Sequence, residues 1–552
     1  AGNHGLKFGA DIRYIKLFNQ AAFDSKGTFT FNSLQDFLNN NAASFAQALQ
    51  QATFDARQTQ QFYFVQDDWR VTSNLTLNLG LRYETANNPF GFFGATDAQS
   101  LGSLVPGPTR RDNNNFAPAF GFAYSPRPAG GFLKSLLGDG LTVFRGGYRI
   151  NYDLLFFNIL TVNASNFPRV VTGLTTNAVD VFPNLAPVSG TAVFNPLATF
   201  VNTPENAKTP YSQIYSFSIQ RELSRNFLLE FGYTGSRSLN QVNQLQANAA
   251  ILTLAQIATV NTAIAAGSTT PQNAIPSVQA RRVNPAIGSR VLIATEAQGT
   301  YNAGFVSLNK RLSRGLQFGI SYTFAKNLSN NDESLGVGAI TTGSPQIPQD
   351  FFNRGAEKSL SAFDRKHRFV ANYIYEVPVP GFANNNSVLR QIFGGFQISG
   401  VTTRQSGQPF SIVTGVDSNG NGAGGDRPNF NPNGQIILDP VTGNFRSFTT
   451  TGNPFVVPRN SSTGLPVANS LGNGSLGRNT FRAPGFFNTN LSVSKNFRMG
   501  EDRRLQFRAD FLNAFNQDSY GIPVNNLNSA DFGRNLNNFG NRVIVLGAKL
   551  SF

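Results

Sequence analysis

From Gln61 to Glu84 the chain reads QFYFVQDDWRVTSNLTLNLGLRYE. In its second half Leu75, Leu77, Leu79, Leu81 and Tyr83 alternate with Thr76, Asn78, Gly80, Arg82 and Glu84, a period of two that predicts a β-strand with one apolar and one polar face. A helix would scatter these leucines around its circumference. In the first half Phe62, Phe64, Trp69 and Val71 flank the polar Gln66, Asp67 and Asp68, and Thr72, Ser73 and Asn74 are turn residues. The stretch predicts a β-hairpin.

The same scheme returns in NFLLEFGYTGSR (Asn226 to Arg237), GLQFGISYTFAK (Gly315 to Lys326) and RLQFRADFLNAFN (Arg504 to Asn516). The first strand, Leu6 to Tyr14, alternates Leu6, Phe8, Ala10, Ile12 and Tyr14 with Lys7, Gly9, Asp11 and Arg13. Further strands are predicted in Phe116 to Pro126, Thr142 to Tyr152, Tyr211 to Leu223 and Tyr301 to Leu312, in DRKHRFVANYIYEVP, across Gly394 to Gly415 with a bend at Gly407 to Pro409, and in FFNTNLSVSKNF and NRVIVLGAKLSF. Short turns fall at Thr72 to Asn74, Ser224 to Asn226, Ser313 to Gly315 and Arg498 to Asp502, with medium ones near Arg127 to Gly140 and Pro378 to Gln391. Long loops take every other connection, which gives about 14 strands and the parity of an outer-membrane barrel.

The expected fold is therefore all-β: one antiparallel transmembrane β-barrel domain over residues 1–552, with short periplasmic turns and long extracellular loops. Two helices are expected in the loops, SLQDFLNNNAASFAQALQ from Ser33 and AILTLAQIATVNTAIAAG inside an insert from Leu239 to Gln298; Asp153 to Thr209 reads as loop. Because a charge on the lipid face costs about 2 to 4 kcal/mol at mid-membrane, Leu75, Leu77 and Leu79 should face lipid. Arg82 and Glu84, and also Asp67, Asp68 and Arg70, should line the lumen.

Composition supports a large closed sheet over a cytosolic enzyme: 40 % apolar residues, 53 Gly, 52 Phe and 14 Tyr, but only 14 % charged in 552 residues. No run of about 18 apolar residues occurs, so no spanning helix is expected. The absence of cysteine removes disulfides, thiolate metal sites and cysteine nucleophiles. Ala1 to Gly5 carries no signal peptide, and a mature or truncated form is the expectation. The net charge of +15 is spread through strands and turns without a nucleic-acid motif, which points to anionic lipid surfaces instead.

Candidate chemistry is sparse. Asp417, Asn419 and Asn421, with Gly422 for the turn and Asp426 as a second carboxylate, have the oxygen spacing of a Ca²⁺ loop, although Pro428 stands where a bidentate Glu is expected. The plain alternative is an Asx-turn loop. Gly420, Gly422 and Gly425 match GxGxxG spacing without the strand-turn-helix context of a dinucleotide site. His367, among Asp364, Arg365, Lys366 and Arg368, reads as a polar or interfacial cluster, since no nucleophile motif accompanies it. With His4 the only other histidine, a zinc site is not expected, and neither is an enzyme.

In order along the chain, FVQDDWRVTSNLTLNLGLRYE, FAPAFGFAYSP, TVFRGGYRINYD, PYSQIYSFSIQREL, GLQFGISYTFAKNLS, DRKHRFVANYIYEVP, SGQPFSIVTG, LGRNTFRAPGFFNTNLSVSKNF, FRADFLNAFN and the terminal Phe552 resemble the barrel portion of TonB-dependent outer-membrane receptors, most closely the Oar-like branch. The resemblance implies location in the Gram-negative outer membrane, energised transport through the TonB complex, and Phe552 as part of the signal read by the barrel-assembly machinery. It also implies a barrel of about 22 or more strands and a plug domain, neither complete in these residues. Implied partners are outer-membrane lipid, lipopolysaccharide and a ligand bound by the loops and lumen. A structural or adhesive barrel acting through its loops, and a passive porin, are the competing functions.

Overall fold

The computed structural model describes residues 2–21, 26–31, 34–49, 52–88, 109–164, 170, 172–179, 197, 199–267, 274–332, 348–415, 419–422, 425–438, 448–451, 454–456, 474–499 and 503–552. Fourteen antiparallel strands follow one another through one sheet in chain order. They are β1 (His4–Ala21), β2 (Ala52–Thr72), β3 (Leu75–Ala86), β4 (Phe116–Tyr124), β5 (Thr142–Tyr152), β6 (Tyr211–Ser224) and β7 (Phe227–Gln246). After these come β8 (Arg290–Ser313), β9 (Leu316–Ser329), β10 (His367–Glu376), β11 (Phe396–Gln405), β12 (Phe486–Arg498), β13 (Arg504–Leu512) and β14 (Val543–Ser551). Two short strands enlarge the sheet to sixteen: Phe200–Asn202 runs parallel to β8, and Ser359–Leu360 pairs with the end of β9. β1 and β14 are its edges, and among the described residues no ladder joins them.

Register follows from the turns. Arg314 (φ 51°) and Gly315 (φ 76°) are both left-handed between β8 and β9, the geometry whose twist matches a two-residue hairpin. Between β2 and β3 the turn sets Trp69 opposite Leu77 and Asp68 opposite Asn78. Alternation then carries one apolar row across the sheet: Leu77 opposite Phe122, Phe120 opposite Tyr148, Phe217 opposite Tyr233, and Tyr322 opposite both Val306 and Phe369.

The two faces differ in what covers them. Phe8 is 84 % and Leu546 78 % exposed on the apolar face, which none of the described residues overlies there. On the other face Ala56 and Gln58 share the row of Asp68 and Arg70. Ala56 packs with Leu155, Ile159, Leu160, Val201 and Ile293, and Gln58 Nε2 donates to Leu155 O at 3.4 Å. Loop segments therefore fill the polar side, and the apolar side is left for lipid. Among the described residues no helix is long and apolar enough to cross a membrane.

Several expectations are corrected. Asp67 stands opposite Leu6 and Leu79, in the apolar row, whereas Asp68 and Arg70 take the polar one; consecutive residues of a strand cannot share a face. The Asp67 carboxylate meets His4 Nδ1 at 2.7 Å, and His4 stacks on Trp69 at 5.1 Å, close to the short turn. The helix expected from Ser33, a residue outside those described, is only Leu34–Leu38. Asn40 at φ 60° ends it, and Asn41–Ala48 pairs as a strand with Thr28–Thr30 and Thr172–Val179, so sheet pairing overrides local helix propensity.

The insert after Leu239 is shorter than expected, because β7 continues to Gln246 and β8 starts at Arg290. Two register shifts between Ser238 and Val242 let the polar QVNQLQ stretch keep pairing. Its helix is present as Leu254–Ala265. The segment Asp153 to Thr209 is not all loop, since it holds a helix at Phe157–Ala164 and the strands Thr172–Val179 and Phe200–Asn202. The strand expected across Gly394 to Gly415 runs as Phe396–Gln405 and, past the bend expected at Gly407 to Pro409, resumes only as Pro409–Phe410.

Candidate functional site

At the ends of β7, β8 and β9 opposite the short turns, two connections meet. Residues 348–360 lead from β9 into β10, and residues 406–438 and 474–485 are two parts of the connection from β11 to β12. Loops rich in Gly, Asn and Pro have little apolar surface to bury, so here ions join them. The Arg427 guanidinium grips the Glu357 carboxylate with two bonds, 2.9 and 3.0 Å, with side chains 3 % and 5 % exposed. Arg427 Nε donates to Leu476 O at 2.9 Å. Arg478 meets Asp332 at 2.6 Å and donates through Nε to Glu357 O, and Arg482 pairs with Asp364. Asn479 Nδ2 donates to Asp332 Oδ2 and to Leu360 O.

Beside this network Phe410, Ile412, Phe455, Leu476 and Ala483 form a small apolar core. Buried charges need both a partner and further hydrogen bonds to offset desolvation. Asp332 has them: it also accepts from Ser329 Oγ, Ser361 Oγ and Ala362 N. Burial pushes its carboxyl up, but Arg478 and these donors outweigh burial and hold it below the usual carboxylate range.

Ser329, Glu357 and Arg478 of this network also line a cavity of about 900 Å³. Its other walls come from Pro204, Asn206 and Lys208, from Arg237, Asn240 and Asn243 of β7, from Glu296 and Gln298 of β8, and from Asn330, Arg354 and Lys358. The cavity is lined mainly by polar side chains and stands on the rigid ends of β7, β8 and β9.

Of the residues singled out from sequence, Asn419, Asn421 and Asp426 do come together. Asn419 Nδ2 and Asn421 Nδ2 both donate to Gln349 O, and Asp426 Oδ2 accepts from Asn419 N at 3.0 Å. Asp417 lies outside the described residues. Among the described residues no group of three or more His, Asp or Glu is placed to hold a metal. Gly420, Gly422 and Gly425 all have positive φ, and Gly420 sits against Leu252 and Arg281.

His367 stands on the apolar face: its Nδ1 is 2.7 Å from the Tyr322 hydroxyl, and its ring lies 5.2 Å from that of Phe324. Asp364, by contrast, is buried with Arg482. Phe552 ends the chain 94 % exposed. The Arg427 and Arg478 network was missed in the sequence, although its signal was there: GGDRPN and LGRNTFR place lone arginines in loops of an otherwise weakly charged chain.

An antiparallel meander whose bare face is apolar and whose filled face is polar defines a transmembrane β-barrel of the outer membrane. The chain belongs to the outer membrane beta barrel domain family, whose model matches residues 1–544. Among solved structures it is similar to the outer membrane transporter YddB from Escherichia coli, at 11 % identity and a TM-score of 0.52, over 100 % of this chain and 52 % of that one. It is also similar to the ferric enterobactin receptor from Pseudomonas aeruginosa in complex with enterobactin, at 9 % identity and a TM-score of 0.49, over 99 % and 51 %. A third is the ferripyoverdine receptor of the outer membrane of Pseudomonas aeruginosa bound to ferripyoverdine, at 9 % identity and a TM-score of 0.43, over 99 % and 54 %. The chain thus spans about half the length of each. No curated protein matches it.

Proposed function

We propose that the chain is the barrel portion of a TonB-dependent receptor-like transporter of the Oar-like branch, which moves a substrate bound by extracellular loops and lumen across the outer membrane. The observation that carries this reading is the cavity at the strand ends, held by buried Arg427–Glu357 and Arg478–Asp332 pairs on loops that a passive wall would not need to fix. In this reading a plug couples the barrel to the TonB complex, and the unpaired N–H and C=O groups of β1 and β14 are satisfied by further strands, because exposed edges are not tolerated in hydrocarbon. The test is ligand accumulation by cells expressing the full receptor, with and without TonB. Accumulation that is lost without TonB supports the reading, and accumulation that persists unchanged overturns it.

Two further roles belong to the same reading. Phe552, exposed at the end of β14, serves as the contact for the barrel-assembly machinery; deleting it should lower the amount of folded barrel in the membrane, and full assembly without it removes the role. Ca²⁺ at Asp417, Asn419, Asn421 and Asp426 draws support from the gathering of the last three, Asn419 and Asn421 through their shared acceptor Gln349 O and Asp426 through the Asn419 N–H. Protection of this loop from protease by Ca²⁺ is the expected result, and no Ca²⁺ effect removes the site.

A further inference from the structure

Among the described residues the cavity over β7, β8 and β9 is lined by no aromatic ring, so a flat or apolar ligand finds no stacking surface. Its carboxylates are already matched: Glu296 pairs with Arg354, and Glu357 takes the fork of Arg427. Three cations on the wall are left over. Lys208, Arg237 and Lys358 are exposed, and their side chains make no ion pair or hydrogen bond with a described residue.

The amides add donors to this wall. Asn243 Oδ1 accepts from Glu296 N at 3.2 Å and Asn330 Oδ1 from Gln298 N at 2.7 Å, which leaves the NH₂ of each as the group available to a ligand. A wall of three cations and amide donors selects acceptors and negative charge. At about 900 Å³ the space exceeds the needs of a bare ion and lies in the range of sites for organic ligands.

We propose that this cavity recognises an acidic oligosaccharide, with carboxylates held by Lys208, Arg237 and Lys358 and hydroxyl oxygens by the amides of Asn243 and Asn330. The inference rests on the transporter reading for its biological sense and names the substrate class of that site.

The test is calorimetric titration of the purified full receptor with trigalacturonate and with the neutral maltotriose. Trigalacturonate should bind at least about tenfold more tightly, and its binding should weaken with added salt. The triple variant Lys208→Ser, Arg237→Ser, Lys358→Ser should lose about tenfold or more in trigalacturonate affinity while keeping the heat-dependent gel mobility of a folded barrel. Equal affinity for the two sugars, no binding of either, or unchanged affinity in the folded triple variant overturns the assignment. Trigalacturonate binding without TonB-dependent accumulation sinks the transporter reading alone. TonB-dependent accumulation of another ligand, with no trigalacturonate binding, sinks this assignment alone.

Discussion

Arg478 and Asp332 are 146 residues apart in the chain and meet at 2.6 Å, with side chains 2 % and 1 % exposed. Their contact joins the end of β9 to the approach to β12, and it stands under the wall of the proposed binding cavity. The pair fixes where the β9–β10 and β11–β12 loops lie relative to the strands, which is what a recognition site on loops requires.

Removing one partner of a buried pair leaves the other uncompensated, at a cost of about 3 to 5 kcal/mol. Arg478→Ala should therefore loosen residues 348–360 and 474–483, while the strand ladders persist. Hydrogen exchange should rise in those segments and stay slow in β7 to β9. Exchange unchanged in the loops contradicts the assigned role of the pair.

Acid should act through the same contact. Since Asp332 is held below the ordinary carboxylate range, its stabilising effect is complete above the unfolded value of about 3.9 and fades as pH falls through the lower folded value. Proteolysis of residues 348–360 should be flat from about pH 7 to 5 and accelerate only below the unfolded value. Asp332→Asn should flatten that acid limb at the cost of a weaker loop at neutral pH.

The assignment of faces gives a paired test. Leu77, between Trp69 and Phe122, is on the bare apolar face; Asn78, which donates to Asp68 Oδ1 at 2.7 Å, is on the polar face. Leu77 shares a rung with Trp69 close to the short turn, so Leu77→Arg should cost less than the about 2 to 4 kcal/mol of the bilayer midplane and still lower the yield of heat-modifiable barrel. Asn78→Arg puts its charge beside Asp68 and should assemble normally. Equal yields refute the face assignment.

Gly407 lies between β11 and the short strand Pro409–Phe410, where a Cβ would overlap the backbone carbonyl of Ala483. A backbone atom held by the Ala483 N to Gln408 O bond cannot step aside cheaply. Gly407→Ala should shift the loop core around Phe410 and Phe481 and lower its thermal stability by about 1 to 3 kcal/mol, the range for overpacking. A melting temperature equal to that of the unchanged protein counts against this contact.

Much of the sheet is legible residue by residue. Leu75 to Glu84 and Leu316 to Lys326 alternate so regularly that strand, face and partner follow from period and turn alone, because a hairpin's register is set by local chemistry. The loops are different. Ser33 to Gln50 carries helical composition, yet Asn41–Ala48 within it becomes strand, since pairing with Thr172–Val179, over a hundred residues away, is decided outside the segment. The polar run Asp67–Asp68 points to the lumen by composition, but two shared rungs with Leu6 and Leu79 turn Asp67 outward.

By itself the sequence determined that this chain crosses the outer membrane as consecutive antiparallel strands, because alternation and turn residues act over a few positions at a time. Only the tertiary structure decided which lone arginines of the loops meet which carboxylates, and that Lys208, Arg237 and Lys358 surround one cavity. Those relationships depend on how distant loops fold over the strand ends, a geometry with no period in the chain.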